Sequence, residues 1–287
     1  MKRPLSVLCL TLVFGSSVFA GEIEALKDLE YVKRGEVSLK LDLYLPKPRP
    51  ANPVPLVMWV HGGGWLNGNK DKCPAVWLAE TGDHAVASID FRQADAAQWP
   101  AQMDDCREAV RWLRTHAVEY GLDAGHIAAW GGSSGGHLVA LMGTLDVPKD
   151  EAVSSRVQAV CDWYGPSDLL TMPPNVITEQ RTRAQVEKSN GAILLGAAVM
   201  DIPDRAKSAS AFHQASAGDA PFLIMHGDAD PGVPLEQSVK LHEKLTAAGV
   251  PSTLEVLPGA GHGGAEFRTP ESQAKIKAFF DRHLHGE

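Results

Sequence analysis

The chain has 287 residues, of which 7% are aromatic, and its formal net charge at pH 7 is −8. An acidic chain of this kind is a poor partner for nucleic acid or for an anionic membrane surface, so we expect neither as a ligand. The length suits one large α/β domain with a sizeable core.

The first 20 residues have the pattern of a secretory signal peptide. Lys2 and Arg3 form a basic start, an apolar run extends from Leu5 to Phe14, and Ala20 ends a small-residue cleavage site. The apolar run is too short for a transmembrane helix. We therefore expect cleavage before Gly21 and a secreted or periplasmic protein without a membrane anchor.

Three cysteines follow the predicted cleavage site: Cys73, Cys106 and Cys161. An odd number permits at most one internal disulfide and leaves one thiol over. The sequence does not decide whether any two of them pair. None belongs to a Cys-x-x-Cys pair or a His/Cys cluster with metal-ligand spacing, so no metal site is predicted.

Strand and helix patterns alternate through the first half of the chain. Residues 36–45 alternate apolar and polar side chains, which predicts a half-buried strand suited to the antiparallel edge of a larger sheet. Residues 56–60 and 84–90 are apolar runs typical of strands buried on both faces. Apolar residues spaced by three and four predict an amphipathic helix over 103–120, with Gly121 as its C-cap.

The second half continues the same alternation. Further strands are predicted at 127–130, 157–161, 222–225 and 253–257, and helices at 235–248 and 276–280. Residues 167–216 are less regular but too long for a bare loop in a compact domain, so we expect short helices that form a cap. The pattern predicts the α/β class, with a mostly parallel sheet, helices on both faces and a single domain over 21–287.

The sequence IAAWGGSSGGHLVALM at 127–142 joins a short strand, a Gly-x-Ser-x-Gly motif and an apolar helix. This order is typical of a nucleophile elbow, where a serine Oγ projects at the head of the helix. Ser133 and Ser134 both have glycines two residues away on either side, so the motif alone does not choose between them. A glycine- and serine-rich loop remains the alternative for this motif in isolation.

Three further loops follow predicted strands and carry reactive or flexible residues. HGGGW at 61–65 is typical of a loop whose N–H groups stabilise an oxyanion beside such an elbow. Asp228 and Asp230 follow a later strand, and His262 follows the last one. Since the carboxyl ends of parallel strands share one edge, we expect these loops to meet there. The order Ser, Asp, His is that of the α/β-hydrolases.

These motifs resemble those of α/β-hydrolases in the hormone-sensitive-lipase and carboxylesterase broad group. The chain is most similar to bacterial esterases described as bifunctional acetylxylan esterase and feruloyl esterase. The matching segments are LDLYLP (41–46), HGGGW (61–65), CREAVRWLR (106–114), WGGSSGGHL (130–138), DWYGPSD (162–168), HGDADPGVP (226–234) and PGAGHG (258–263). The similarity extends from about residue 36 to about residue 264.

The resemblance implies a catalytic triad and resolves two choices. In the family pattern the first serine of the motif is the nucleophile, which corresponds to Ser133, and Ser134 follows it. The acid corresponds to Asp230, so that Asp228 is expected to have a structural role. His262 corresponds to the base that takes the proton of the serine.

The remaining expectations concern the oxyanion and the substrate. The N–H groups of Gly63, Gly64 and Ser134 are expected to bind the oxyanion, and the mechanism requires no metal or organic cofactor. Trp65, Trp163 and Tyr164 offer flat faces on which a sugar or ferulate ring can lie, unless these side chains belong to the core.

The predicted function is hydrolysis of short-chain or aromatic acyl esters, of a small molecule or a polysaccharide, with acetyl or feruloyl xylan esters as the favoured substrates. A general short-chain carboxylesterase and an arylformamidase-like amide hydrolase are alternatives, the latter disfavoured by the signal peptide. A non-catalytic binding module is disfavoured by the complete set of triad residues. A long-chain lipase is disfavoured by the polar composition of residues 171–190. The natural ester and the oligomeric state are not determined by the sequence.

Overall fold

The structure is a computed structural model that describes residues 21–148 and 150–285, so the predicted signal peptide lies outside the described residues. The strands are β1 (Glu22–Arg34), β2 (Val37–Lys47), β3 (Val54–Val60), β4 (Ala85–Ile89), β5 (Leu122–Gly132), β6 (Val160–Trp163), β7 (Phe222–Gly227) and β8 (Ser252–Leu257). They form one eight-stranded sheet in the order β1-β2-β4-β3-β5-β6-β7-β8. β2 is antiparallel to both of its neighbours, and all other pairs are parallel. The predicted mostly parallel sheet is confirmed.

The α-helices of the described ranges are α1 (Val76–Glu80), α2 (Ala101–Thr115), α3 (Ala117–Tyr120), α4 (Ser134–Thr144), α5 (Arg183–Val186), α6 (Asn190–Leu195), α7 (Pro203–Ser208), α8 (Ala211–Gln214), α9 (Glu236–Ala247) and α10 (Pro270–Leu284). Short 3₁₀ turns occupy Pro173–Asn175, Val199–Asp201 and Glu266–Arg268. None of these helices is long and apolar enough to cross a bilayer.

Both faces of the sheet are covered, and the pattern within the strands shows why. Along β3, Leu56 and Met58 face one apolar cluster, whereas Val57 and Trp59 face another, because successive side chains of a strand point to opposite faces. The first cluster includes apolar residues of α2, α4 and α9, and the second includes those of α1 and α10. Helices therefore cover both faces of the sheet, as predicted.

The antiparallel edge differs from the prediction. β2 is antiparallel, as expected for residues 36–45, but β1 pairs along its outer side and forms the edge of the sheet. β1 was not predicted because its sequence, EIEALKDLEYVKR, is rich in charge and its register against β2 shifts twice, after Leu26 and after Glu30. These irregularities interrupt the period-two pattern from which a strand is recognised.

The predicted helix over 103–120 is divided in two. α2 ends at Thr115, and α3 begins after His116, whose φ and ψ of −96° and 11° depart from α-helical values. The C-cap expected at Gly121 is present, since this residue has φ of 70° in the left-handed region.

The segment between β6 and β7 has the expected short helices. Residues 167–216 contain α5 to α8 and two of the 3₁₀ turns, and we refer to this segment as the cap. Leu194, Val199 and Ala206 of the cap are buried in the same apolar cluster as α4. The cap is thereby attached to the sheet face that carries the elbow helix.

Candidate active site

The elbow is a tight turn between β5 and α4. Ser133 has φ of 57° and ψ of −121°, a conformation that costs a non-glycine residue energy and is concentrated at functional sites. A Cβ on Gly135 would overlap the carbonyl oxygen of Val60, and one on Gly131 would overlap the carbonyl of Gly135. Glycine is required at both positions because the helix approaches the strands so closely.

The elbow serine lies next to a histidine and an aspartate from two other loops. Ser133 Oγ is 2.8 Å from His262 Nε2, and His262 Nδ1 is 2.7 Å from Asp230 Oδ2. Because the carboxylate can only accept, Nδ1 carries the proton, which leaves Nε2 to accept from the serine hydroxyl. By contrast, the Oγ of Ser134 is buried and has no hydrogen-bond partner among the described residues.

Asp230 is held in place by the turn that follows it. Its side chain is 0% exposed, and Oδ1 accepts hydrogen bonds from the N–H groups of Gly232, at 2.7 Å, and Val233, at 2.9 Å. Asp228 makes a different contact, since its carboxylate accepts the N–H of Gly259 at 2.6 Å. Asp230 thus faces the imidazole, whereas Asp228 connects the loops after β7 and β8.

A second histidine, which the sequence analysis did not place in the site, lies beside the same carboxylate. His226 is buried, and its Nε2 is 2.9 Å from the carbonyl oxygen of Val233 and 3.3 Å from Asp230 Oδ2. Its Nδ1 is 2.6 Å from the hydroxyl of Ser238. Two acceptors at Nε2 require the proton there, so the Ser238 hydroxyl donates to Nδ1. Burial lowers the pKa of His226, which keeps the ring neutral. In the sequence, the only indication that His226 contacts Asp230 is that the two residues are four positions apart.

The glycine loop after β3 folds back toward the elbow. Gly63 has φ of 124°, and its carbonyl accepts the N–H of Asn67 at 3.1 Å. Gly64 has φ of 63°, and a Cβ there would overlap the amide of Asn190 in the cap. Gly64 and Ser134 both line the cavity at Ser133, whereas Gly63 lies one residue behind. The N–H of Ser134, in the first turn of α4, has no acceptor within its own helix.

Trp65 connects this loop to the elbow helix and the cap. It lines the cavity with only 6% of its surface exposed, and its Nε1 donates to His137 Nδ1 at 3.2 Å. His137 Nε2 donates in turn to the carbonyl of Ala209 in the cap at 2.7 Å. Burial lowers the pKa of His137 to about 4, so the ring is neutral and can both accept and donate.

The expectation for Trp163 is corrected by the structure. Its side chain is 2% exposed and packs against Trp59 and Trp130, with ring centroids 5.8 Å and 4.8 Å away. β6 extends to Trp163, two residues further than predicted, and the alternation of the strand turns this ring into the core below α10. Its neighbour Tyr164 contacts the site instead, with its ring centroid 4.7 Å from that of His262.

The cavity above the triad has a volume of about 320 Å³. Ser133, Ser134, Gly64, Trp65 and His262 form its floor. The cap supplies a wall whose side chains include Met172, Pro174, Asn175, Arg181, Lys188 and Asn190. The sequence predicts a polar cap but not which residues line the cavity, because the irregular segment gives no periodic signal that would orient their side chains.

Among the described residues, one group of three side chains has ligand atoms close enough to share a metal ion. These are His84, Asp281 and His285, whose ligand atoms lie within 4.8 Å of one another. His84 directly precedes β4, so it lies at the amino ends of the parallel strands, whereas Ser133, Asp230 and His262 lie at their carboxyl ends. Lys277 Nζ lies 3.0 Å and 2.9 Å from the two oxygens of Asp281 and already neutralises that carboxylate.

Cys73, Cys106 and Cys161 are all free thiols.

Comparison with known proteins relates this chain to a known family. The family model BD-FAE matches residues 41–245. Esterase LipC of Mycobacterium tuberculosis is 31% identical over 258 residues, which cover 83% of this chain and 62% of LipC. The chain spans about three fifths of the length of LipC and of the similar esterase LipQ.

Two solved structures are similar over most of the chain. A truncated form of a carbohydrate esterase from gut microbiota is 29% identical with a TM-score of 0.77, and the match covers 93% of this chain and 98% of that one. A bifunctional GH43-CE protein of Bacteroides eggerthii is 29% identical with a TM-score of 0.76, covering 91% of this chain and 35% of that one.

Proposed function

Since the chain belongs to the BD-FAE family and has the α/β-hydrolase fold, we propose that it hydrolyses carboxylic esters through Ser133, His262 and Asp230. One observation carries this proposal. The hydrogen-bonded chain from Ser133 Oγ through His262 to Asp230, at 2.8 Å and 2.7 Å, opens into a cavity bordered by Gly64 and Ser134. A nucleophile, its base and the group that orients the base are therefore together at the floor of a pocket.

The reaction proceeds in two halves. Ser133 Oγ attacks the ester carbonyl carbon while its proton passes to His262 Nε2, and the carbonyl oxygen becomes an oxyanion. The N–H groups of Gly63, Gly64 and Ser134 are the proposed donors to that oxyanion, each worth about 10²–10³ in rate. His262 then protonates the leaving alcohol. Water gives a proton to the same nitrogen as it attacks the acyl carbon, and transfer of that proton to Ser133 Oγ releases the acid and restores the free serine.

We propose short-chain or aromatic acyl esters linked to a carbohydrate as the substrate class. A volume of about 320 Å³ is near the lower end for ligand pockets, which favours small acyl groups over long chains. The cap wall carries asparagine, arginine and lysine side chains, which suit a hydroxylated substrate better than a lipid surface. One structural neighbour is described as a carbohydrate esterase and another as a bifunctional GH43-CE protein. A general short-chain carboxylesterase is the alternative, supported by the esterase names of the curated relatives.

Export remains part of the proposal, on the signal-peptide pattern of residues 1–20. It would place the enzyme where polysaccharides are encountered outside the cytoplasm.

The proposal is tested with a panel of esters. We expect nitrophenyl acetate and butyrate to be cleaved far faster than esters of twelve carbons or more, and acetate or ferulate to be released from acetylated xylan or methyl ferulate. Ser133→Ala, prepared in the same way, should be inactive on every member of the panel. A preference for long-chain triglyceride emulsions, with nothing released from xylan, contradicts the substrate class but not the triad.

A further inference from the structure

Two cationic side chains of the cap line the catalytic cavity and have no partner of opposite charge among the described residues. Arg181 and Lys188 are both part of the cavity wall, and within the described ranges neither makes an ion pair or a side-chain hydrogen bond. Arg183, two residues from Arg181, is different. It pairs with Glu187 at 2.8 Å and with Asp201. In the part of the chain that the structure describes, the cations that face the cavity are thus left without a counter-charge.

No carboxylate is found among the described residues that line this cavity. The triad carboxylate, Asp230, is 0% exposed and already bonded to His262. The cavity therefore has a positive wall in a chain whose net charge is −8. A cleft lined by charges of one sign focuses the field and attracts ligands of the other sign.

One atom of this wall is also left unsatisfied. The Nε of Arg181 is buried and has no hydrogen-bond partner among the described residues. This atom is too buried for a ligand to reach, but the two terminal nitrogens of the guanidinium are not buried and make no hydrogen bond among the described residues. A planar guanidinium whose terminal donors are free matches the two oxygens of a carboxylate.

We propose that Arg181 and Lys188 form an anion subsite and that the preferred ester carries a carboxylate, either in its acyl part or in its alcohol part. The first case is a half-ester of a dicarboxylic acid, and the second is an ester of a carboxylate-bearing sugar such as a uronate. This inference rests on the proposed ester hydrolysis in the same cavity. The two cations are assigned to the substrate carboxylate, since the oxyanion has its own proposed donors at Gly63, Gly64 and Ser134.

The experiment compares matched esters that differ in one charge. For the alcohol part the pair is 4-acetoxybenzoate and 4-acetoxybenzamide, and for the acyl part it is methyl hydrogen adipate and methyl adipamate. The enzymes are the wild type, the double variant Arg181→Gln with Lys188→Gln, and Arg183→Gln as the control whose charge is paired outside the cavity. The carboxylate and amide esters of a pair differ in intrinsic reactivity. Dividing the rate of the variant by that of the wild type on the same ester removes this difference.

In at least one pair, the double variant should reduce kcat/KM for the carboxylate ester about 10- to 100-fold more than for its amide partner, as expected for lost hydrogen bonds to a charged group. Arg183→Gln should leave the ratio of kcat/KM for the carboxylate ester to kcat/KM for the amide ester at the wild-type value. Added NaCl should lower the rate on the carboxylate ester in the wild type more than in the double variant. If the double variant does not fold, Lys188→Gln alone, at an exposed position, should lower the ratio in the same direction.

The anion subsite is overturned if, in both pairs, the double variant reduces kcat/KM by the same factor for the carboxylate ester and for its amide partner. Failure of the wild type to cleave even nitrophenyl acetate is a different result, because it removes the proposed ester hydrolysis itself.

Discussion

Acid should destabilise the protein through His137, the buried histidine that connects Trp65 with the carbonyl of Ala209. Burial lowers the pKa of His137 to about 4 from its ordinary value of 6.5. The unfolded chain therefore binds a proton at a pH where the folded chain does not. Stability from this group is complete above pH 6.5 and is lost as the pH falls toward 4.

The size of the effect follows from these two pKa values. Between pH 7 and pH 5 the linkage relation gives a loss of about 2 kcal/mol for this one residue. Other buried groups contribute as well. Burial also lowers the pKa of His84 to about 4, which acts in the same direction, whereas it raises the pKa of Asp162 to about 7, which acts in the opposite one. A variant of His137 is therefore needed to separate its share.

His137→Gln is the suitable variant, because glutamine does not titrate but can still accept from Trp65 and donate to Ala209. The free energy of unfolding is measured by urea denaturation of both proteins at pH 7 and pH 5. The wild type should lose about 2 kcal/mol more than the variant between the two pH values. Equal losses in the two proteins would refute the neutral, buried imidazole on which the connection between loop, helix and cap depends.

Three further predictions concern the triad and export. Asp230→Asn should lower kcat by orders of magnitude because His262 loses the group that orients it. Asp228→Asn should lower kcat much less, and a reversed ranking would assign the acid wrongly. His226→Ala should cost about 1–3 kcal/mol of stability, measured by denaturation, because buried polar partners are left unpaired. The same variant should retain a larger share of kcat than Asp230→Asn, and complete inactivity in a folded protein would contradict this. Exported protein should begin at Gly21 on N-terminal sequencing, and a retained Met1 would exclude cleavage.

The parts of the fold that repeat a simple period could be predicted from the sequence. β3 and residues 127–130 of β5 are continuous apolar runs, and the αL conformation of Gly121 follows from its place at a helix end. β1 could not be predicted, because its charged residues and two register shifts hide the alternation on which a strand prediction depends.

The site shows the same division. The positions that bring Ser133, Asp230 and His262 together follow from strand ends that share one edge of the sheet. Trp163 shows where prediction of the site from sequence fails. Its ring faces the core and not the cavity because β6 extends to this residue, and the alternation of side chains along the strand directs the ring to that face. The cap wall was beyond prediction, because short helices joined by irregular turns have no fixed period to orient side chains such as Arg181.

The central claim, that Ser133 is the nucleophile, is tested most directly by covalent labelling with an alkyl fluorophosphonate. An activated serine Oγ attacks phosphorus and expels fluoride, so the adduct stays on the nucleophile. Peptide mapping by mass spectrometry should find the adduct at Ser133 in the wild type and in Ser134→Ala, and no adduct in Ser133→Ala. An adduct at Ser134, or a labelled Ser133→Ala protein, would contradict the assignment.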